Sequence, residues 1–132
     1  MDPYPPLIDT ERLASQSTID LTTVGRRSGR TTRIEIWWFR FDDRFLITGT
    51  PGRRDWLANI RADPNVIVHT SLGDYAGTAH EIVDLLFRQR FFESPQAHWY
   101  RTQSSLDALV ASAPMVEVVL VQSSADPHGA RP

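Results

Sequence analysis

The 132-residue chain contains no cysteine and no lysine. The first absence excludes disulfides, thiolate zinc sites and a cysteine nucleophile, and it suits a reducing compartment. The second leaves arginine as the only permanent side-chain cation. A GC-rich coding sequence would explain the lack of lysine, but not the placement of the arginines. No apolar run approaches the roughly 18 residues of a membrane span. The opening MDPYPPLIDTER lacks the basic-then-apolar order of a signal peptide. A cytoplasmic protein is expected, with residues 1–17 as an N-terminal segment, 18–122 as one domain and 123–132 as a flexible tail.

Eight of the fourteen arginines lie between residues 26 and 54: Arg26, Arg27, Arg30, Arg33, Arg40, Arg44, Arg53 and Arg54. Against three acids they give this window a charge of +5, while the remainder carries −7. A local positive field in an acidic chain points to a specific anionic ligand and away from a nucleic-acid module.

Alternation and turn residues predict six strands. The first is TIDLTTV, residues 18–24, ending at Gly25. GRRSGR turns the chain into RTTRIEIWWFRF, read as a second strand through Phe41. Asp42-Asp43 then makes a short hairpin turn without the favoured glycine, leading to a third strand over 44–49. Pro51-Gly52 forces another turn. Asp55 is read as the N-cap of a short helix, which Asp63-Pro64 ends. VIVHT (66–70) and YAGTAHEIV (75–83) form the next hairpin, where Gly77 signals a bulge or a close backbone approach. Asp84 caps LLFRQRFFE, and Ser104 or Ser105 caps a further helix. VEVVLV (116–121) is the last strand. This order predicts a mainly β fold with short helices, a small six-stranded antiparallel barrel.

GRRSGR has no Walker-type ending. Its glycines could let backbone N–H groups approach an oxyanion, beside the guanidinium forks of Arg26 and Arg27 and the hydroxyl of Ser28. It also reads as a solvated hairpin. Pro51-Gly52-Arg53-Arg54 stands before a helix N-terminus, which favours anions. The two basic turns make one cradle only if the strands bring them to the same rim. Adjacent Trp37 and Trp38 point to opposite faces, one toward the core and the other free to cover a planar ring. Trp56 and Asn59 open the short helix, where Asn59 could bond a ligand or a neighbouring group. His69, His80, His98 and His128 show no metal spacing, although His69 and His80 could meet across their hairpin. The absence of an evident nucleophile or acid–base pair suggests a cofactor that carries the chemistry.

LTTVGRRSGRTTRIEIWWF followed by RFLITGTPGRRDWLANIRADPNVIVH resembles the deazaflavin-dependent nitroreductase and quinone reductase family. Thr22, Thr23, Gly25, Arg26, Arg27, Ser28, Gly29 and Arg33 match its strand-turn. Trp56, Asn59, Ile60, Ala62, Pro64 and Val66 match its helix-to-strand segment. The resemblance implies a split β-barrel of the flavin-reductase and pyridoxamine-phosphate-oxidase kind. It also implies the deazaflavin coenzyme, coenzyme F-420, with FMN as the alternative. The coenzyme's acidic tail would lie on Arg26, Arg27, Ser28, Gly29, Arg33 and Thr50, Pro51, Gly52, Arg53 and Arg54. Its ring would lie near Ile36, Trp37 and Trp38, beside Trp56 and Asn59. The expected partner is a small electron acceptor such as a quinone, enone or nitro compound. Some such barrels pair as homodimers, others are monomeric, and a non-catalytic carrier of the same fold is a further possibility. This chain has no clear match for the tyrosines on the substrate side of the nitroreductase branch; His98, Trp99 and Tyr100 fall in that region.

Overall fold

In a computed structural model, which describes residues 8–121, seven strands form one curled antiparallel sheet. They are β1 (Thr18–Val24), β2 (Thr31–Trp37), β3 (Phe39–Phe41), β4 (Arg44–Thr48), β5 (Asn65–Thr70), β6 (Gly73–Glu81) and β7 (Met115–Leu120). The order across the sheet is β2-β1-β5-β6-β7-β4-β3. Its two edges, β2 and β3, are therefore consecutive in the chain and joined only through Trp38. The anticipated single strand over 30–41 changes partner there: β2 pairs with β1 and β3 with β4. The barrel thus has seven strands where six were expected, because one long strand is divided in two.

Trp38 makes the division. Its backbone N–H bonds Ser17 O at 3.0 Å and its indole N–H donates to Gln16 O at 2.8 Å. Its ring stacks on Phe45, with centroids 4.2 Å apart. Only 3% of Trp38 is exposed. Alternation along β1 sends Ile19 and Leu21 inward to the same core, with Val66 and Val68 of β5 and Val116 and Val118 of β7. The opposite face of β3 and β4 carries Phe39, Phe41 and Leu46. These pack beneath helices α3 (Leu85–Glu93), α4 (His98–Gln103) and α5 (Leu106–Ser112). Among the described residues, no helix is long and apolar enough to cross a membrane.

The turn chemistry explains several connections. Asp42 and Asp43 take φ values of 53° and 59°, the left-handed pair of a two-residue hairpin turn, which short acidic side chains tolerate. Gly77 has the close approach read from its position: a Cβ there would lie 2.7 Å from Val119 O of the paired strand. Helix α2 (Asp55–Ala62) starts one residue earlier than predicted. Arg54 is its N-cap, without a side-chain cap bond, and Asp55 is its first residue. Ser105 caps α5 and Asp84 caps α3. Helix α1 (Thr10–Ala14), capped by Asp9, seats Leu13 in the barrel core. The segment 123–132, expected to be a flexible tail, lies outside the described residues.

Candidate functional site

The register leaves a gap where the barrel is split. β3 pairs with β4 only from Phe41↔Arg44 to Phe39↔Leu46, so Ile47 and Thr48 extend beyond it toward the free edge of β2. A cleft of about 540 Å³ opens there. Ile36 and Trp37 of β2 form one side, and Thr48, Gly49, Thr50 and Arg54 form the other. Trp56 of α2 and Trp99 and Tyr100 of α4 complete the lining, with Thr18 and Glu35 at the margin. Trp37, 40% exposed, meets Trp99 edge-on at 5.3 Å and Tyr100 at 6.1 Å. The result is an aromatic wall facing a polar loop across an open cleft.

That loop is held by its own side chains. Arg54 donates from one terminal nitrogen to Thr50 O at 2.9 Å and to Thr50 Oγ1 at 3.2 Å. Thr48 Oγ1 donates to Pro114 O at 2.6 Å, which ties the end of β4 to the segment before β7. Burial pushes the Tyr100 phenol up to about 12, partly opposed by Arg54, so the phenol stays protonated at neutral pH.

The structure ties the first basic turn to helix α2, which follows the second. Arg26 donates its backbone N–H to Asn59 Oδ1 at 3.1 Å and its guanidinium to the same oxygen at 2.9 Å. The guanidinium also reaches Asp55 Oδ1 at 3.3 Å. Asn59, almost fully buried, donates in turn to Thr23 Oγ1 at 3.1 Å. Asn59 is thus a clamp between the turn and α2, with its carbonyl and amide both engaged by protein. The turn spends donors internally as well: Gly25 N on Arg30 O, Gly29 N on Gly25 O and Arg30 N on Ser28 Oγ. These three N–H groups do not form the open anion cradle that the glycine spacing suggested. Arg27 and Arg30 remain exposed. Arg33 pairs with Asp20 at 2.8 Å on the outer face of the sheet.

Of the residues expected at the site, Ile36, Trp37, Thr50, Arg54 and Trp56 line the cleft. Gly52, Arg53 and Arg54 line a neighbouring cavity. Trp38 is a correction: it is core, and Trp37 is the indole that faces the cleft. His69 and His80 do not meet, because the register sets His69 opposite Asp74 and His80 opposite Glu117. His69 Nε2 instead lies 2.7 Å from Thr22 Oγ1, while Nδ1 sits 2.9 Å from Asp74 Oδ1 without hydrogen-bond geometry. Thr18, Glu35, Thr48, Gly49, Trp99 and Tyr100 were not assigned to the site from sequence. The adjacent Trp99-Tyr100 pair was the available signal, but no pattern placed it against Trp37.

The sequence model of the F420H(2)-dependent quinone reductase family matches residues 9–116. The chain belongs to this family. It is a deazaflavin-dependent oxidoreductase, and its cofactor is coenzyme F-420. No curated protein matches the sequence. Among solved structures, it is similar to an F420-H2 dependent reductase, FDR-A, at 20% identity and a TM-score of 0.57, over 79% of this chain and 95% of that one. It is also similar to a FAD-binding protein from Mesorhizobium loti, at 17% identity and a TM-score of 0.61, over 86% and 87% of the two chains. A third is a pyridoxinephosphate oxidase family protein from Clostridium acetobutylicum, at 11% identity and a TM-score of 0.62, over 86% and 85%. These likenesses show the shared barrel. The cleft fits the quinone reductase family's cofactor. Its volume lies in the usual range for small-molecule sites, its aromatic wall suits a flat ring, and Arg54 adds a cation to the lining.

Proposed function

We propose that the chain reduces a small electrophile, a quinone, enone or nitro compound, seated against the aromatic wall of the cleft. The observation that carries this reading is the Trp37–Trp99–Tyr100 wall, set across the barrel split from the Thr48–Thr50 rim. When bound, the reduced coenzyme supplies a hydride. The chain's own residues bind, orient and exclude water. Ile36 and Trp56 give the ring an apolar bed, while Trp37 and Trp99 screen the acceptor from solvent. The Thr48–Pro114 and Arg54–Thr50 bonds keep the rim from relaxing as the ligands enter. Tyr100 presents a protonated phenol that can donate a hydrogen bond to an acceptor oxygen as negative charge develops there.

The test is anaerobic single-turnover mixing of protein, reduced coenzyme and menadione, followed through the return of oxidised-coenzyme absorbance. Oxidation at a rate above the protein-free control is expected. Failure with menadione, an enone and a nitroaromatic alike would overturn the reading and leave a carrier of the coenzyme.

Tyr100→Phe separates the phenol's chemistry from its packing. Turnover with menadione should fall about tenfold or more, as for the loss of one hydrogen bond to developing charge, with coenzyme affinity unchanged. Stability gives a second readout. The folded pKa lies above the ordinary value of about 10, so this stabilisation is complete below pH 10 and is lost as pH rises toward 12. The loss is on the order of 2 kcal/mol. Alkaline denaturant titrations of Tyr100→Phe should lack that decline; an unchanged alkaline profile would count against a buried, protonated phenol.

A further inference from the structure

The lining of the aromatic cleft carries two charged residues, Arg54 on the loop side and Glu35 on β2. They are not equivalent. Arg54 already donates to Thr50 O and Thr50 Oγ1. Glu35 is exposed and makes no ion pair among the described residues. Its place in the sheet is unfavourable as well. The register sets Glu35 directly opposite Asp20 of β1, and like charges facing one another across a strand pair destabilise a sheet. Arg33, two residues away on the same strand, is committed to Asp20: its Nε donates to Oδ2 at 2.8 Å. Asp20 therefore has its counter-ion, and Glu35 has none.

Glu35 also stands two residues before Trp37. The two side chains share one face of β2, with backbones about 7 Å apart at roughly 3.3 Å per residue. Trp37 is 40% exposed and Trp99, which it meets edge-on, is 48% exposed. A carboxylate without a counter-ion beside open indole surface has the chemistry that recognises an organic cation. The carboxylate supplies the charge, and the ring quadrupoles attract a weakly hydrated head group.

We propose that Glu35 is a specificity-determining residue, selecting the acceptor by charge. An acceptor ring with a cationic substituent on a short arm, such as a quaternary ammonium, is favoured, and an anionic ring is disfavoured. The inference rests on the reduction proposed above. Two unit charges about 7 Å apart interact by roughly one RT even at the dielectric constant of water. A cationic acceptor therefore gains about threefold in kcat/KM and an anionic one loses about threefold. The effect falls on KM, because the contact is present before and during hydride transfer alike.

The experiment compares three naphthoquinones with reduced coenzyme: menadione, a derivative carrying a trimethylammonium-methyl group, and 1,2-naphthoquinone-4-sulfonate. Their potentials differ, so the quantity read is the change in each kcat/KM on substitution. Glu35→Gln should lower the cation-to-anion ratio at least fivefold while menadione stays within about twofold. Added salt should shrink the wild-type ratio in the same direction. Asp107→Asn removes one negative charge from α5, outside the cleft lining, and should leave the ratio unchanged. The urea midpoint of Glu35→Gln should be equal to or above that of wild type, since Asp20 loses a like-charged neighbour. A ratio unmoved in Glu35→Gln overturns the proposal, as does an equal shift in Asp107→Asn, which would mean net charge alone. Benzyltrimethylammonium and benzenesulfonate, neither of which accepts a hydride, test the same contact by saturation-transfer NMR without turnover. If the wild type reduces none of the quinones, the reduction reading falls and these two probes decide. A preference for the ammonium that Glu35→Gln abolishes supports the charge selection, and equal binding of both overturns it.

Discussion

Arg88→Met is expected to lower the unfolding free energy by about 2–4 kcal/mol, the cost of leaving several buried carbonyls without their donor. Arg88 Nε donates to Val110 O at 2.7 Å, one terminal nitrogen donates to Ile82 O at 2.8 Å, and the other donates to Leu109 O at 3.3 Å and to Ala113 O. Leu109 and Val110 belong to the last turns of α5, and Ala113 is its C-cap. Helix C-terminal carbonyls lack intrahelical donors and favour a cation. Arg88 therefore caps α5 from α3 and joins both to the chain leaving β6. Burial pushes its pKa below the ordinary value, with Glu81 opposing the shift. Methionine would fill much of the stem's volume but leave four carbonyls with no donor from this side chain. Arg88→Lys keeps the charge without the fork and should recover only part of the loss. Leu85→Ala, on the exposed side of the same helix, should cost about 0.5 kcal/mol or less. Urea unfolding decides the matter: a loss below about 1 kcal/mol for Arg88→Met would mean that water replaces the guanidinium at little cost.

Most of the barrel could be read from sequence because its strands have solvent-facing or helix-facing positions alternating with core positions. Ile19 and Leu21 against Asp20 and Thr22, or Val66 and Val68 against Ile67, announce period two. The helix starts were legible where a side chain caps them, as at Asp84 and Ser105. Helix α4 has no such mark: it follows a short 3-10 turn over Pro95–Ala97 and begins after Ala97. That helix carries Trp99 and Tyr100, so two of the three residues of the aromatic wall went unplaced. The break at Trp38 was hidden for a related reason. RTTRIEIWWFRF contains no glycine, proline or other turn residue to mark a break, and only the tertiary exchange of β1 for β4 as partner divides it. The GRRSGR turn shows the limit of composition in the other direction. Its arginines and glycines are the residues an anion site needs, yet Arg26 braces Asn59, and Gly25, Gly29 and Arg30 close the turn on itself. Charge density in a sequence reveals a field; which guanidinium faces a ligand depends on neighbours supplied by other elements.

For the coenzyme itself, the largest single-residue effect is expected from Arg54→Ala: a loss of affinity of about 10–100-fold, corresponding to the roughly 1.5–3 kcal/mol of a hydrogen bond to a charged group. Arg54 acts twice. Its side chain lines both the aromatic cleft and the neighbouring cavity. It also holds the 49–54 loop through Thr50 O and Oγ1. Gly49 lies so close that a Cβ there would be 3.1 Å from an Arg54 terminal nitrogen. Removing the side chain should therefore take away a cation and release the rim opposite Trp37. Arg54→Lys distinguishes the two contributions. If charge dominates, lysine restores most of the affinity at low ionic strength and loses it as salt shortens the screening length. If the fork's hold on the loop dominates, lysine remains nearly as weak as alanine at every salt concentration. Fluorescence titration with oxidised coenzyme reads either outcome. Wild-type affinity in Arg54→Ala would remove Arg54 from the coenzyme's binding site.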